Sequence, residues 1–323
     1  MSIWQGRSVL VTGATGIVGS WLVKDLLADG ARVVALVYER DPRSELVRSG
    51  DLERIESVDG ALEELDVLER ALREHEFDTV FHLGAQTLVE TAREDPLTTW
   101  ETNVRGTYNL LEACRRHAPR MERIVVASSD KAYGDAELLP YTEESPLAGR
   151  SPYEASKACA DVIAQSYHTT YGLPVAVARC GNVYGGGDFN WSRIVPGTIR
   201  SLLEGQRPIV RSDGTYRRDY LYVRDVARAY LDLGAAVGRD GVAGEAFNFG
   251  HERPITVLEV VDEIKRLMGR EDVEPIVEDR AVGEIRDQWL SATKAHAVLG
   301  WSPHYDLETG LAETIDWYRK YLG

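Results

Sequence analysis

The ten residues Leu10-Val11-Thr12-Gly13-Ala14-Thr15-Gly16-Ile17-Val18-Gly19 decide what kind of chain this is. An apolar run over 8–11 leads into three glycines at GxxGxxG spacing, Gly13, Gly16 and Gly19, and an amphipathic stretch follows over 17–29. Strand, tight turn and helix in that order bring backbone N–H groups to a helix N-terminus, where a pyrophosphate is well held. An ordinary strand–helix turn can carry the same glycines. The position directly after the first strand favours a dinucleotide cradle.

Working outward, further strand-like runs lie at 31–37, 79–83, 123–127 and 174–178, each rich in Val, Ile or Leu. Short apolar runs of this kind suit strands buried on both faces. Helical stretches at 62–75, 98–117 and 152–171 separate them. The alternation predicts an α/β fold, a Rossmann-like doubly wound parallel sheet. After Cys180 the pattern loosens: Gly185-Gly186-Gly187 reads as a loop and Asp213-Gly214 as a turn. Helices resume at 224–236, 256–268 and 307–321, with a short strand at 246–249. Residues 1–180 are therefore expected to form the dinucleotide-binding unit and 181–323 mainly a smaller C-terminal substrate-binding lobe, with a stretch near 219–250 returning to the first unit.

The chain has 323 residues, 44% of them apolar, which is ample for a large core and unlike a disordered protein. With 37 Lys+Arg against 52 Asp+Glu its formal charge is −15, which speaks against general affinity for nucleic acid or an anionic membrane. Cys114, Cys159 and Cys180 form no CxxC pair, and none of the seven histidines has metal-ligand spacing, so neither a disulfide framework nor a metal site is expected. No apolar run approaches the ~18 residues of a membrane span, and residues 1–6 lack a signal-peptide pattern. A cytoplasmic protein with no membrane partner is the expectation.

Two further stretches carry chemistry. Leu36-Val37-Tyr38-Glu39-Arg40-Asp41 should end the second strand, where an acid favours the ribose 2′-OH of NAD and an arginine the 2′-phosphate of NADP. Both residue types are present, so NAD and NADP remain open on this reading. Ser151-Pro152-Tyr153-Glu154-Ala155-Ser156-Lys157 starts a helix, with Ser151 as N-cap, Pro152 at the first position and Glu154 completing a capping box. Tyr153 and Lys157 then share one helical face, where a lysine cation favours the ionised phenol. The plain alternative is a helix that merely carries an exposed tyrosine and lysine.

Taken with the glycine loop, this pair resembles the extended short-chain dehydrogenase/reductase family, the NAD-dependent epimerases and dehydratases of nucleotide sugars. The resemblance runs nearly the full length. It includes Phe81-His82-Leu83-Gly84-Ala85-Gln86, Thr102-Asn103-Val104-Arg105-Gly106-Thr107, Arg179-Cys180-Gly181-Asn182-Val183-Tyr184-Gly185, Arg218-Asp219-Tyr220-Leu221-Tyr222-Val223-Arg224-Asp225 and Leu299-Gly300-Trp301. It implies a Ser129–Tyr153–Lys157 triad for hydride transfer at sugar C4. It implies cofactor contacts from Gly13, Thr15, Gly16, Ile17, Gly19, Arg40, Leu62, Leu83, Gly84, Ala85 and Asn103, besides Tyr153 and Lys157. Contacts to a nucleotide-sugar substrate are implied for Gln86, Asn182, Arg193, Arg218 and Arg280. A homodimer packed through the helices at 98–117 and 152–171 is implied as well.

Within the family, Ser129-Asp130-Lys131 is similar to the CDP-glucose 4,6-dehydratase type, as is Gly185-Gly186-Gly187-Asp188 with Trp191, Arg193 and Pro196. A 4,6-dehydratase must remove the C5 proton and protonate the C6 hydroxyl, tasks that Lys131 as base and Asp130 as acid could divide. A nucleotide-sugar 4-epimerase needs neither group and is the alternative; a non-catalytic cofactor-sensing protein is a third reading. Arg218-Asp219-Tyr220-Leu221-Tyr222 is the form usual in dTDP- and UDP-sugar enzymes, and Ala61 stands where relatives often carry an adenine-reading Asp. Neither departure touches the family; together they leave the nucleotide base and the reaction open.

Overall fold

The computed structural model describes residues 2–280 and 283–323. Six strands, β1 (Ser8–Thr12), β2 (Arg32–Val37), β3 (Glu56–Asp59), β4 (Thr79–His82), β5 (Arg123–Ala127) and β6 (Val175–Cys180), are joined by a seventh at Ala246–Phe249. They form one sheet in the order Ala246–Phe249, β6, β5, β4, β1, β2, β3, with every pairing parallel. This is the doubly wound α/β arrangement that the alternation of apolar runs and helices predicts.

Side chains alternate across the strands, and both faces are covered. Val9, Val11, Val33 and Ala35 enter one core, against the Ile17–Ala28 and Val223–Ala236 helices. Leu10, Val34, Leu36, Val80, Ile124 and Val126 enter the other, against the Leu65–Glu74 and Gly106–His117 helices. Burial on both sides explains why these strands read as unbroken apolar runs. The exception is β3, Glu-Ser-Val-Asp, an edge strand with largely exposed side chains and no apolar run to announce it.

The helix expected over 98–117 runs unbroken from 96 to 117 but changes type on the way. Pro96–Trp100 and Gly106–His117 flank a wide π-type turn at Glu101–Arg105. The turn sets Asn103 inward, and Gly106 packs against Leu62 so closely that a Cβ there would lie 2.6 Å from the Leu62 Cβ. Such a bulge adds one residue and shifts the apolar pattern once without ending the helical run, so no stop signal announces it.

Beyond β6 the chain builds a smaller layer. Asn182–Tyr184 pairs in parallel with Tyr220–Tyr222, and the helices Ile194–Leu203, Val257–Met268 and Leu307–Leu322 enclose a third apolar cluster. The Val223–Ala236 helix and the Ala246–Phe249 strand meanwhile pack on and extend the main sheet.

A buried ion pair holds the edge nearest the site. Arg179 on β6 donates from Nε to Asp161 Oδ2 at 2.7 Å and from Nη2 to Asp161 Oδ1 at 2.9 Å, while Nη1 reaches the Tyr133 hydroxyl at 2.7 Å. Asp161 is fully buried on the Pro152–Tyr171 helix. Arg179→Met strands that carboxylate, and unfolding in urea should show a loss of about 3–5 kcal/mol.

Candidate active site

At the centre of the sheet the carboxyl ends of β1 and β4 lie side by side, and the chain leaves them toward opposite faces. Gly13 has φ +70°, and a Cβ there would lie 2.6 Å from Gly84 N. A Cβ on Gly19 would lie 2.1 Å from Gly13 O. No larger residue fits either place. Gly16 caps the Ile17–Ala28 helix, whose first turn holds no acidic side chain, so its N–H groups are free to meet an anion. Ser44 Oγ holds the Thr15 carbonyl at 2.8 Å, which keeps the loop open toward the cleft. These features fit the pyrophosphate of a dinucleotide.

The loop forms one end of a cleft of about 690 Å³, and β5 delivers the reactive side chains to its floor. Directly after β5, Ser129 caps a single helical turn, Asp130–Tyr133, accepting from Lys131 N at 3.2 Å and donating to Asp130 Oδ1 at 3.0 Å. Tyr153 and Lys157 come from the Pro152–Tyr171 helix, whose start is held by Glu154 Oε2 accepting from Ser151 N at 3.0 Å. All five side chains line the cleft.

The electrostatics differ from the simple expectation for the tyrosine. Burial pushes the Tyr153 phenol up to about 12, and the cation that pulls it back is Arg193 from the smaller lobe. Asp130 raises it further, and the hydrogen bond with Ser129 lowers it. Lys157 instead donates to Ala127 O at 3.0 Å, and burial pushes its own amine down to about 8. In this state Tyr153 is a phenol rather than a phenolate.

Asp130 and Lys131 are displaced in opposite directions. Burial raises the Asp130 carboxyl above its usual range, against the opposing pull of Lys131, the Ser129 hydrogen bond and Arg218. Burial lowers the Lys131 amine, reinforced by Arg218 and opposed by Asp130, Glu154 and Glu284. Asp130 Oδ2 is buried and meets no partner among the described residues. The two shifts thus run toward the protonated form of Asp130 and the free amine of Lys131.

Asn182, Arg193 and Arg218, expected to contact substrate, also line the cleft. Arg218 is no solvated surface cation, being only 8% exposed. It donates to the carbonyls of Arg217 at 2.9 Å, Arg286 at 2.8 Å and Ile285. Arg193 is held by Asp188 at 3.0 Å. Leu83, Gly84 and Ala85 line the cleft beside the glycine loop.

Five expected contacts are not brought to the cleft wall. Arg280 is 69% exposed and bound to Glu278 at 2.7 Å. Arg40 lies on the exposed sheet edge, bound to Ser57 Oγ and Asp59 Oδ1, each at 2.9 Å. Gln86 spends its amide on the Leu88 backbone. Leu62 is packed beneath Gly84 and Gly106. Asn103 is buried with both amide atoms engaged, accepting from Gln86 N at 2.7 Å and donating to Gln86 O at 3.0 Å and Ser156 Oγ at 2.9 Å.

Sequence reasoning also missed groups that the fold brings in. The Val89–Glu94 helix borders the cleft and is tied across it, Glu90 pairing with Arg211 and Arg93 donating to Gly283 O at 2.9 Å. The Asp95-Pro96 step after it was a readable helix end. Gln288, which touches Lys131, sits on a two-residue strand with no signal of its own.

The profile of the GDP-mannose 4,6 dehydratase family matches residues 10–314. The CDP-glucose 4,6-dehydratase of Salmonella typhimurium is 31% identical over 99% of this chain and 93% of its own length. A dTDP-glucose 4,6-dehydratase of Xanthomonas campestris is 35% identical over 96% of this chain and 92% of its own. Among solved structures, the UDP-glucose 4-epimerase of Thermotoga maritima superposes with TM-score 0.89 at 30% identity, covering 98% of this chain and 100% of that one. A dTDP-glucose 4,6-dehydratase from Streptomyces venezuelae, solved with NAD bound, superposes with TM-score 0.86 at 31% identity over 97% of both chains.

The glycine geometry is directly testable. Gly13→Ala forces both the strained φ and the contact with Gly84, and should weaken NAD binding at least about tenfold, or 1.4 kcal/mol, in calorimetric titration.

Proposed function

The chain belongs to the GDP-mannose 4,6-dehydratase family, and from that premise we propose that it is an NAD-dependent nucleotide-sugar 4,6-dehydratase. The observation that carries this reading is the Asp130–Lys131 pair, buried on the cleft floor beside Ser129 and Tyr153 with acid and base displaced toward the protonation states an elimination needs. Named relatives that catalyse this reaction on CDP- and dTDP-glucose support it.

Residues 13, 15–17 and 19 would hold the NAD pyrophosphate, with Lys157 near the nicotinamide ribose. NAD supplies, when bound, a hydride acceptor at sugar C4 that later returns the hydride at C6. Tyr153 first gives up its own phenol proton to solvent and, as phenolate, takes the C4 hydroxyl proton while Ser129 hydrogen-bonds the same oxygen. The C4 ketone acidifies the neighbouring C5–H, and Lys131 Nζ takes that proton. Asp130 gives its proton to the C6 hydroxyl, which departs as water. The protonated Lys131 then returns its proton to C5 as C6 is reduced, leaving a 4-keto-6-deoxy sugar. Arg218, with Asn182 and Arg193, faces the diphosphate of the nucleotide.

A 4-epimerase would use Ser129, Tyr153 and Lys157 alike, and the close superposition on one favours it as the second reading. It leaves Asp130 and Lys131 without a task, although holding an unpartnered carboxyl oxygen in a buried place is costly. The intact triad speaks against a non-catalytic sensor.

We also propose that a second copy of the chain covers the outer face of the helix layer. Leu97 (67% exposed), Tyr108 (41%), Val162 (57%) and Tyr171 (56%) leave apolar surface on Pro96–Trp100, Gly106–His117 and Pro152–Tyr171. Val162→Glu should turn the dimer into a monomer in sedimentation velocity. The three cysteines are free and two are buried, in keeping with a reducing compartment, and we place the protein in the cytoplasm. No described helix is long and apolar enough to cross a membrane.

Incubation with CDP-, dTDP-, GDP- and UDP-glucose tests the reaction. One of them should yield a 4-keto-6-deoxy product; C4 inversion with the C6 oxygen retained would establish the epimerase instead. Lys131→Met should cut product formation at least about 100-fold while C4 oxidation, read as NADH absorbance in a single turnover, persists.

A further inference from the structure

Lys131 has one hydrogen-bond partner for its amine that lies far away in sequence. Gln288 Oε1 accepts from Lys131 Nζ at 3.2 Å. Gln288 has no exposed surface, and its Nε2 meets no acceptor among the described residues. Its backbone is held on both sides. The Asp287–Gln288 strand pairs in parallel with Arg217–Arg218, placing Gln288 opposite Arg218. The following residues are tied to the turn side of the site, Trp289 O accepting from Tyr141 N at 3.0 Å. The carboxamide is therefore fixed against the amine by two separate backbone contacts.

We infer that Gln288 is a positioning residue for the proposed base: its neutral carboxamide oxygen holds Lys131 Nζ in place without adding a counter-charge. This rests on the reading of Lys131 as the C5 base. A base must present a lone pair toward C5, so whatever holds the amine must accept from an N–H and leave the lone pair free. An amide oxygen does so; an amide turned to offer Nε2–H would occupy the lone pair instead. A carboxylate at the same point would hold the nitrogen equally well but favour the ammonium.

The charged groups facing Lys131 make that distinction matter. Asp130 stands on its own turn, Arg218 on the neighbouring strand, Glu154 on the Pro152–Tyr171 helix and Glu284 on the segment before the Gln288 strand. Burial and Arg218 favour the free amine; the three carboxylates oppose them. A further carboxylate at position 288 would tip that balance toward the ammonium.

The test compares wild type, Q288E and Q288M with NAD bound. Lys131 is titrated without substrate, by its pH-dependent acetylation with limiting acetic anhydride and peptide mass spectrometry. Turnover is followed in parallel as product formation and solvent-proton exchange at C5. In Q288E the Lys131 titration should move up by at least about one pH unit. The acidic limb of C5 exchange should move with it, because only the free amine takes the proton. Activity at pH 7 should then fall about tenfold and recover at higher pH, while single-turnover C4 oxidation is unchanged.

Q288M keeps the side-chain volume and remains readable if the buried carboxylate prevents folding. It should lower kcat at every pH without moving the limb upward. The inference is overturned if Lys131 titrates at the same pH in Q288E as in wild type, or if Q288M keeps full kcat. If wild type yields only the C4 epimer, the dehydratase reading fails, and the acetylation titration still decides whether Gln288 sets the state of Lys131.

Discussion

Everything in this molecule depends on the close approach of two strand ends, β1 and β4, at the centre of the sheet. There Gly13 and Gly84 bring their backbones within the space of one side chain. A chain of hydrogen bonds starts from that contact. Thr12 Oγ1 accepts from Gly84 N at 3.0 Å and meets His82 Nδ1 at 2.8 Å. His82 Nε2 meets Thr107 Oγ1 at 3.0 Å, and Thr107 donates to Asn103 O at 2.6 Å. Asn103 donates to Ser156 Oγ, and Ser156 donates to the Tyr153 carbonyl at 2.7 Å. With Thr107 donating onward, His82 donates from Nε2 and accepts at Nδ1, which requires neutral imidazole. Burial, aided by the charge on Lys157, pushes His82 down to about 3 and secures that state. The glycine loop and the helix carrying Tyr153 are thus registered through one buried polar line, with Asn103 as its central link.

The smaller lobe is fastened to the same loop from outside. Ser44 fixes Thr15, and its neighbour Glu45 pairs with Lys24 and accepts from Trp317 Nε1 at 2.8 Å. Trp317 stacks on Tyr321 at 5.3 Å, and Trp21 donates to Gly186 O at 2.9 Å. The C-terminal helix therefore bears on the loop over 185–188 and on the loop that carries Thr15 at once. Asp188 at the end of that segment then orients Arg193 toward Tyr153. Shifting the C-terminal helix would disturb both ends of the cleft.

What could be read in the sequence was local. The glycines at 13, 16 and 19 act through consecutive backbone, and Tyr153 and Lys157 through one helical turn, so spacing reveals both. Strands buried on two faces announce themselves; β3, at the exposed edge, does not. The π-type turn at Glu101–Arg105 was hidden because the chain stays helical through it, and with it the inward role of Asn103. Contacts such as Lys131–Gln288 and Glu90–Arg211 join residues 157 and 121 positions apart, and only the closed fold defines them. Arg280, placed by resemblance, shows the converse: a motif position carries over, while the carboxylate of Glu278 decides where the charge rests.

A chain of net charge −15 can still offer an anion a strongly positive place, because partners and not totals set the local field. Arg193 is already matched by Asp188. Among the described residues the hydrogen bonds of Arg218 run to neutral carbonyls, which fix its guanidinium without compensating its charge. That charge reaches both members of the acid–base pair, lowering Lys131 and also lowering Asp130. On the proposed roles it helps the base and hinders the acid. A diphosphate bound at Arg218, as proposed, would screen both effects together. With the arginine compensated, burial would favour the protonated carboxyl more strongly, still opposed by Lys131 and the Ser129 hydrogen bond, while the uncharged amide of Gln288 adds no charge that favours the Lys131 ammonium. The neutrality of the group behind Lys131 then matters most when substrate is bound.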